Sequence, residues 1–253
     1  MRYLLRTACL FPLLLVSALP CQADTMDLFF AGGANFPRIY NQTPVNITST
    51  QINNYVTRKA TLTKFLAGIG VSYIFNNVGI SPLNIGIGLA GYYNDFGYVK
   101  GTEYPFANQG GASALNYRFD AASSVLLAEG RLIYSDSTLH PYLLCGAGYS
   151  WNHLSNFIQS PMNAGSRPTP VEASFTNKTT GDFAYEAGVG IQYLLPFANS
   201  YATPVYYALD LSYRYMNLGK GELGRFPGQS TSNRLTVTHM STQAVLFALT
   251  ASI

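Results

Sequence analysis

His153 and Ser155 stand two apart in the run His153-Leu154-Ser155-Asn156. On an extended strand, residues i and i+2 share a face. The pair would therefore set a base beside a hydroxyl, the first part of an activated nucleophile whose second part is an orienting carboxylate. The acids that follow are Glu172, in a polar connection, and Asp182, on the inward parity of its own segment, and neither is placed to orient the imidazole. A second set consists of Lys64, Glu129, Arg131, Glu186, Asp210 and Arg214, three charges of each sign on the small or polar side of apolar, alternating segments. If those sides meet in an enclosed space, each unpaired charge costs on the order of several kcal/mol. Equal numbers then predict a mutual network, which either fills the space or gates a narrow aqueous path. Gly86-Ile87-Gly88-Leu89-Ala90-Gly91 fits G-x-G-x-x-G. A dinucleotide site needs a helix opening on the last glycine, and this run lies inside a strand pattern. His140 and His239 have no carboxylate or cysteine at ligand spacing, so neither a metal nor a cofactor is expected.

The elements that must position these residues are strands. From Val205 to Tyr215, Val205, Tyr207, Leu209, Leu211, Tyr213 and Tyr215 fall on one face, with Ala208, Asp210, Ser212 and Arg214 on the other. Phe183 to Tyr193 repeats the split, as do segments beginning near Lys64, Leu83, Ser124 and Leu143 and the last segment, Ala244 to Ile253. A weaker one spans Leu28 to Phe36, giving eight strands of period two. Three connections are short and turn-rich, at 76–82, 135–141 and 195–203. Four are long and polar, at 37–61, 99–117, 155–181 and 217–236. Segment 37–61 offers no apolar face, so no further strand is expected there.

Which face is inside follows from what each carries. Only 11% of the 253 residues are charged, less than half the share in ordinary soluble domains. The apolar faces end in aromatics: Tyr73, Tyr134 and Tyr193 at one end, and Tyr93, Tyr149, Trp151, Tyr213 and Tyr215 at the other. Two aromatic girdles around an aliphatic band are the mark of a lipid-facing surface. The opposite face carries Gly-x-Gly at 68/70, 86/88, 146/148 and 188/190, which suits the crowded interior of a narrow barrel. The expected fold is therefore all-β, an eight-stranded antiparallel up-and-down transmembrane β-barrel over residues 24–253, with four long extracellular loops.

Arg2 and Arg6 precede an apolar run, Ala8 to Leu19, and the small-x-small tripeptide Cys21-Gln22-Ala23. This predicts a signal peptide over residues 1–23, cleaved after Ala23. Cleavage removes two of the 15 basic residues and none of the 12 acidic ones, and leaves Cys145 as the single cysteine. A near-neutral product has no footprint for nucleic acid and, with one cysteine, no internal disulfide.

In this arrangement of eight alternating segments with four long and three short connections, the chain resembles the small outer-membrane barrels of the OmpA, OmpX and opacity type. The resemblance covers the mature chain as architecture, without a peptidoglycan-binding domain. It implies a Gram-negative outer-membrane location and a charged interior plug. The implied partners are outer-membrane lipid and lipopolysaccharide, the barrel-insertion machinery, and a host or surface ligand at the loops, for a chain that is monomeric by default. Such barrels close on a C-terminal aromatic, whereas this sequence finishes on Ile253. The His-x-Ser-Asn run is also similar to the motif of the outer-membrane lipid A 3-O-deacylases, which implies His153 as base and Ser155 as nucleophile. Three roles are thus open: a structural and surface-interaction barrel, a narrow pore with a charged lumen gate, and a lipid A deacylase-like hydrolase.

Overall fold

A computed structural model describes residues 23–40, 42–46, 52–58, 63–76, 82–108, 114–136, 138–162, 175–195, 205–225 and 234–253. Twelve strands occur in the order β1 (Ala23–Tyr40), β2 (Gln42–Asn46), β3 (Ile52–Thr57), β4 (Lys64–Phe75), β5 (Leu83–Tyr104), β6 (Leu115–Tyr134), β7 (Leu139–Pro161), β8 (Lys178–Leu194), β9 (Tyr206–Asn217), β10 (Gly221–Glu222), β11 (Thr236–Val237) and β12 (His239–Ser252). Eight of them form a closed ring, β1-β4-β5-β6-β7-β8-β9-β12, each antiparallel to its neighbours. The first and last strands close the ring in continuous register, from Asp27 opposite Ser252 to Tyr40 opposite His239. The predicted leader lies outside the described residues except for Ala23, which opens β1.

Side-chain exposure fixes which face looks where. Phe30, Phe247 and Phe183 are 66%, 65% and 61% exposed, while Arg214 and Glu186 on the other face are 2% exposed. A water-soluble barrel would hold the reverse arrangement, because apolar area is driven out of water and bare charge out of hydrocarbon. The exterior is thus matched to lipid, and the chain crosses a membrane by its strands, as a transmembrane β-barrel. The inward glycines have a direct steric reason. A Cβ on Gly68 would run into the Tyr92 ring, one on Gly70 into Phe29, and one on Gly190 into Tyr142. Interior aromatic rings lie flat across bare backbone, and that is how eight strands enclose so many large side chains.

Two expectations from the sequence differ from the structure. Segment 37–61 does contain strands. β1 continues to Tyr40, and β2 and β3 form a hairpin whose second strand pairs with the upper part of β5, from Asn54 opposite Tyr104 to Thr57 opposite Gly101. Its buried face is Asn53, Tyr55 and Thr57, a polar row that a search for apolar alternation passes over. The other long connections are shortened in the same way. β7 alone has 23 residues, about 75 Å at the rise of a strand, where 9–11 residues cross the hydrocarbon. The barrel wall therefore stands well above the membrane. Its top is closed by the β2–β3 hairpin, by the β10–β11 pair and by a continuous apolar core that includes Phe119, Leu154, Phe175, Leu223 and Leu235.

Candidate functional site

Within the ring, Arg214 on β9 is the hub. Its Nη1 donates to Glu129 Oε1 at 3.2 Å and to Glu186 Oε2 at 3.4 Å, and also to the Tyr92 hydroxyl. Its Nε donates to Ser212 Oγ at 3.3 Å. Tyr92 in turn donates to Glu129 Oε1 at 2.5 Å, and Arg131 Nη2 donates to Glu129 Oε2 at 3.1 Å. The Arg131 guanidinium stacks 4.8 Å from the Phe29 ring centroid and 5.7 Å from that of Tyr142, whose hydroxyl donates to Asp210 Oδ1 at 2.9 Å. Strands β5, β6, β7, β8 and β9 thus converge on one buried cluster. Guanidinium suits this position because its planar fork serves several acceptors at once and it stays charged when buried.

The structure brings together five of the six charged residues expected inside, Glu129, Arg131, Glu186, Asp210 and Arg214, and leaves out Lys64. Lys64 opens β4 at its upper end, and its side chain crosses Gly97 to place Nζ 5.7 Å from the Tyr98 ring on the exposed face. Gly97 has φ +64° and follows a one-residue bulge at Phe96, so there is no Cβ to block that path. Asp27 joins the interior instead, accepting from Ser252 Oγ at 2.6 Å. Four carboxylates and two guanidinium groups replace the even balance read from the sequence. Tyr92 was the other participant missed. Its inward parity beside Asn94 was the available signal, masked by the adjacent outward Tyr93.

Above the charged cluster lies a row of neutral polar side chains in lateral register: Asn94, Ser123, Asn152 and Thr180. Asn152 Nδ2 donates to Leu218 O at 2.6 Å, while both amide atoms of Asn94, Ser123 Oγ, Asn152 Oδ1 and Thr180 Oγ1 are buried without a partner. Higher still, outside the hydrocarbon, Glu103 accepts from Asn53 Nδ2 at 2.6 Å, from the Tyr55 hydroxyl at 2.9 Å and from Gln159 Nε2. One carboxylate thereby ties the β3 hairpin, β5 and β7 together. Burial pushes Glu103 above the usual carboxylate range, against the lowering effect of those three donors. Burial also raises Tyr55, with the Glu103 charge adding to it, and pushes Tyr117 up to about 12. A second clasp joins β8 and β10, where Glu222 accepts from Lys178 and, at 3.2 Å, from Arg234. The Lys178 hydrogen bond holds Glu222 below its ordinary value.

Among the described residues, which do not include Glu172, the nucleophile constellation does not come together. His153 Nδ1 is bonded to Thr179 Oγ1 at 3.0 Å. Among the described residues no carboxylate pairs with His153. Ser155 registers opposite Asp120 yet is buried, and the side-chain Nδ2 of Asn156, a residue at φ 54° in a bulge, donates to Asp120 Oδ2 at 2.8 Å. The aromatic residues expected to ring the barrel lie on its outer face, Tyr73, Tyr134 and Tyr193 toward the short turns, and Tyr93, Tyr149, Trp151 and Tyr213 toward the extended end, all exposed; Tyr215 is partly covered.

No family model matches the chain, and no curated protein sequence matches it. Among solved structures it is similar to neisserial surface protein A, at 11% identity and TM-score 0.39, over 89% of this chain and 95% of that one. It is also similar to the outer membrane protein OprG of Pseudomonas aeruginosa, at 11% identity and TM-score 0.37, over 90% of this chain and 95% of that one. A third is Ail, the attachment invasion locus protein of Yersinia pestis, at 11% identity and TM-score 0.34, over 90% and 98%.

Proposed function

We propose that the protein is a monomeric, non-conducting barrel of a Gram-negative outer membrane, which anchors in lipid and holds a rigid polar cap above it. The observation that carries this reading is the filled interior. The Arg214 cluster occupies the lower lumen, and the apolar core of the cap closes the upper end. A water path would have to displace both. The exposed tyrosines and Trp151 mark the two membrane interfaces, where amphipathic rings are favoured. Outer-membrane lipid and the insertion machinery are the partners implied by that location, and the cap is the surface offered to a ligand. The residue 1–23 segment serves as the export signal.

Planar bilayers test the role directly. The purified barrel should leave the membrane silent. Discrete conductance steps that change when Glu129 or Arg131 is neutralised would overturn the proposal in favour of a gated pore.

A further inference from the structure

Glu129, Gly146 and Glu186 stand side by side on β6, β7 and β8, in one lateral row on the inward face. The middle position has no side chain, and a Cβ there would come within 2.8 Å of Glu186 Oε1. The two carboxyl groups therefore lean over bare backbone and come within hydrogen-bonding reach of each other. They also share one nitrogen, Arg214 Nη1, at 3.2 Å from Glu129 and 3.4 Å from Glu186. A guanidinium Nη carries two hydrogens, yet this one meets three oxygens, because the Tyr92 hydroxyl is bonded to it as well.

Donors are divided unequally between the two acids. Glu129 is served on both oxygens, by Tyr92 and Arg214 on Oε1 and by Arg131 on Oε2. Glu186 has the longest of the Arg214 contacts, and its Oε1 is buried without a partner. The rest of the wall brings it no further cation. Asp210 on β9 is another acid, taken by the Tyr142 hydroxyl of β7. Asp27 on β1 is bonded to Ser252 on β12, and Lys64 on β4 is turned to the exposed face. Directly opposite Glu186 on β9 is Met216. Two carboxyl groups confined to one site resist ionising together, and a buried oxygen with no donor is far cheaper as a neutral carbonyl than as part of a charge. We propose that Glu186 is held in the barrel as the neutral acid, its proton shared with an ionised Glu129, and that this proton is a lock on the lumen. Alkali takes the proton off, leaving two like charges against one guanidinium nitrogen, so the packing of the interior is lost as pH rises. The inference rests on the barrel reading, in which this row is enclosed.

The test compares the full mature chain with E186Q in detergent micelles. At pH 7 the infrared difference spectrum between the two should show a protonated-carboxyl C=O stretch in the wild type that the variant lacks. E186Q should keep the compact unheated band and convert to the unfolded band within about 2 °C of wild type, since an amide reproduces the shape and charge of a neutral acid. Between pH 7 and pH 10 the wild-type midpoint should fall by roughly 6 °C more than that of E186Q, the lower end of what one uncompensated buried charge costs. A missing carboxyl band, an equal fall in the two proteins, or failure of E186Q to form the compact band overturns the proposal. Absence of that band from the wild type at pH 7 would instead overturn the barrel reading, and this inference with it.

Discussion

Removing the hub of the interior is the most informative perturbation. Arg214→Met keeps the length and apolar bulk of the side chain while deleting its charge and donors. Glu129 and Glu186 would then remain buried, with Arg131 as the one guanidinium left in the cluster. Breaking a buried ion pair by deleting one partner costs about 3–5 kcal/mol, and for a chain of this size each kcal/mol lowers the unfolding temperature by roughly 2–4 °C. The expected fall is therefore roughly 6–20 °C, read as the temperature at which the compact band converts to the unfolded band on a gel. Glu186→Gln should cost far less, because Glu186 Oε1 has no partner and the interior holds more carboxylates than guanidinium groups. Adding Glu186→Gln to Arg214→Met should recover part of the loss. If Arg214→Met shifts the midpoint by less than 2 °C, or if the second change deepens the loss, the charged cluster is not what holds the lumen closed.

Four further outcomes follow from particular groups. Asn94→Leu should stabilise the barrel by about 1–3 kcal/mol in denaturant titration, since it removes two buried amide atoms that have no partners; a loss would show that the row gains from its polarity. Because burial raises Glu103, the folded cap binds that proton more tightly than the unfolded chain does. Its contribution is present below the usual carboxylate range and is lost as pH rises through the raised value. Protease protection of the β2–β3 hairpin should therefore be greater at pH 5 than at pH 8, and Glu103→Gln should flatten the difference. Glu222 has the opposite sign: its lowered value gives stability above about pH 4.5 that fades as pH falls, so hydrogen exchange at β10 should lose protection in acid. N-terminal sequencing of the purified protein should begin at Asp24; a start at Met1 would refute cleavage.

The ring was legible in the sequence because its strands keep a two-residue period across the hydrocarbon, strict in seven of them and blurred by Ala31-Gly32-Gly33-Ala34 in the first. Legibility ended where the hydrocarbon ends. Above Tyr93 the wall stands in water, and the buried face of β3 is Asn53, Tyr55 and Thr57, which no hydropathy pattern marks. A single bulge at Phe96 reverses β5, so continued alternation would have turned Glu103 outward and Lys100 inward. Glu129, Arg131, Glu186, Asp210 and Arg214 all sit within the regular part of their strands, where the two-residue period puts them on the buried face. Lys64 was misplaced because it begins its strand, where the side chain is free to turn over a glycine. Neither the spacing of His153 and Ser155 nor the motif they resemble reports that Thr179 on the next strand takes the imidazole.

The seam between β1 and β12 has a consequence for assembly. The segment that starts the wall and the segment that finishes it are hydrogen-bonded to each other over 14 residue pairs. Until the final strand arrives, two open borders would face hydrocarbon with their amides and carbonyls bare, a state that lipid does not permit. The polypeptide must therefore wait outside the bilayer as a whole, kept from aggregating, and enter as a nearly finished hoop. Closing that hoop joins its two most distant parts, a pairing of high contact order.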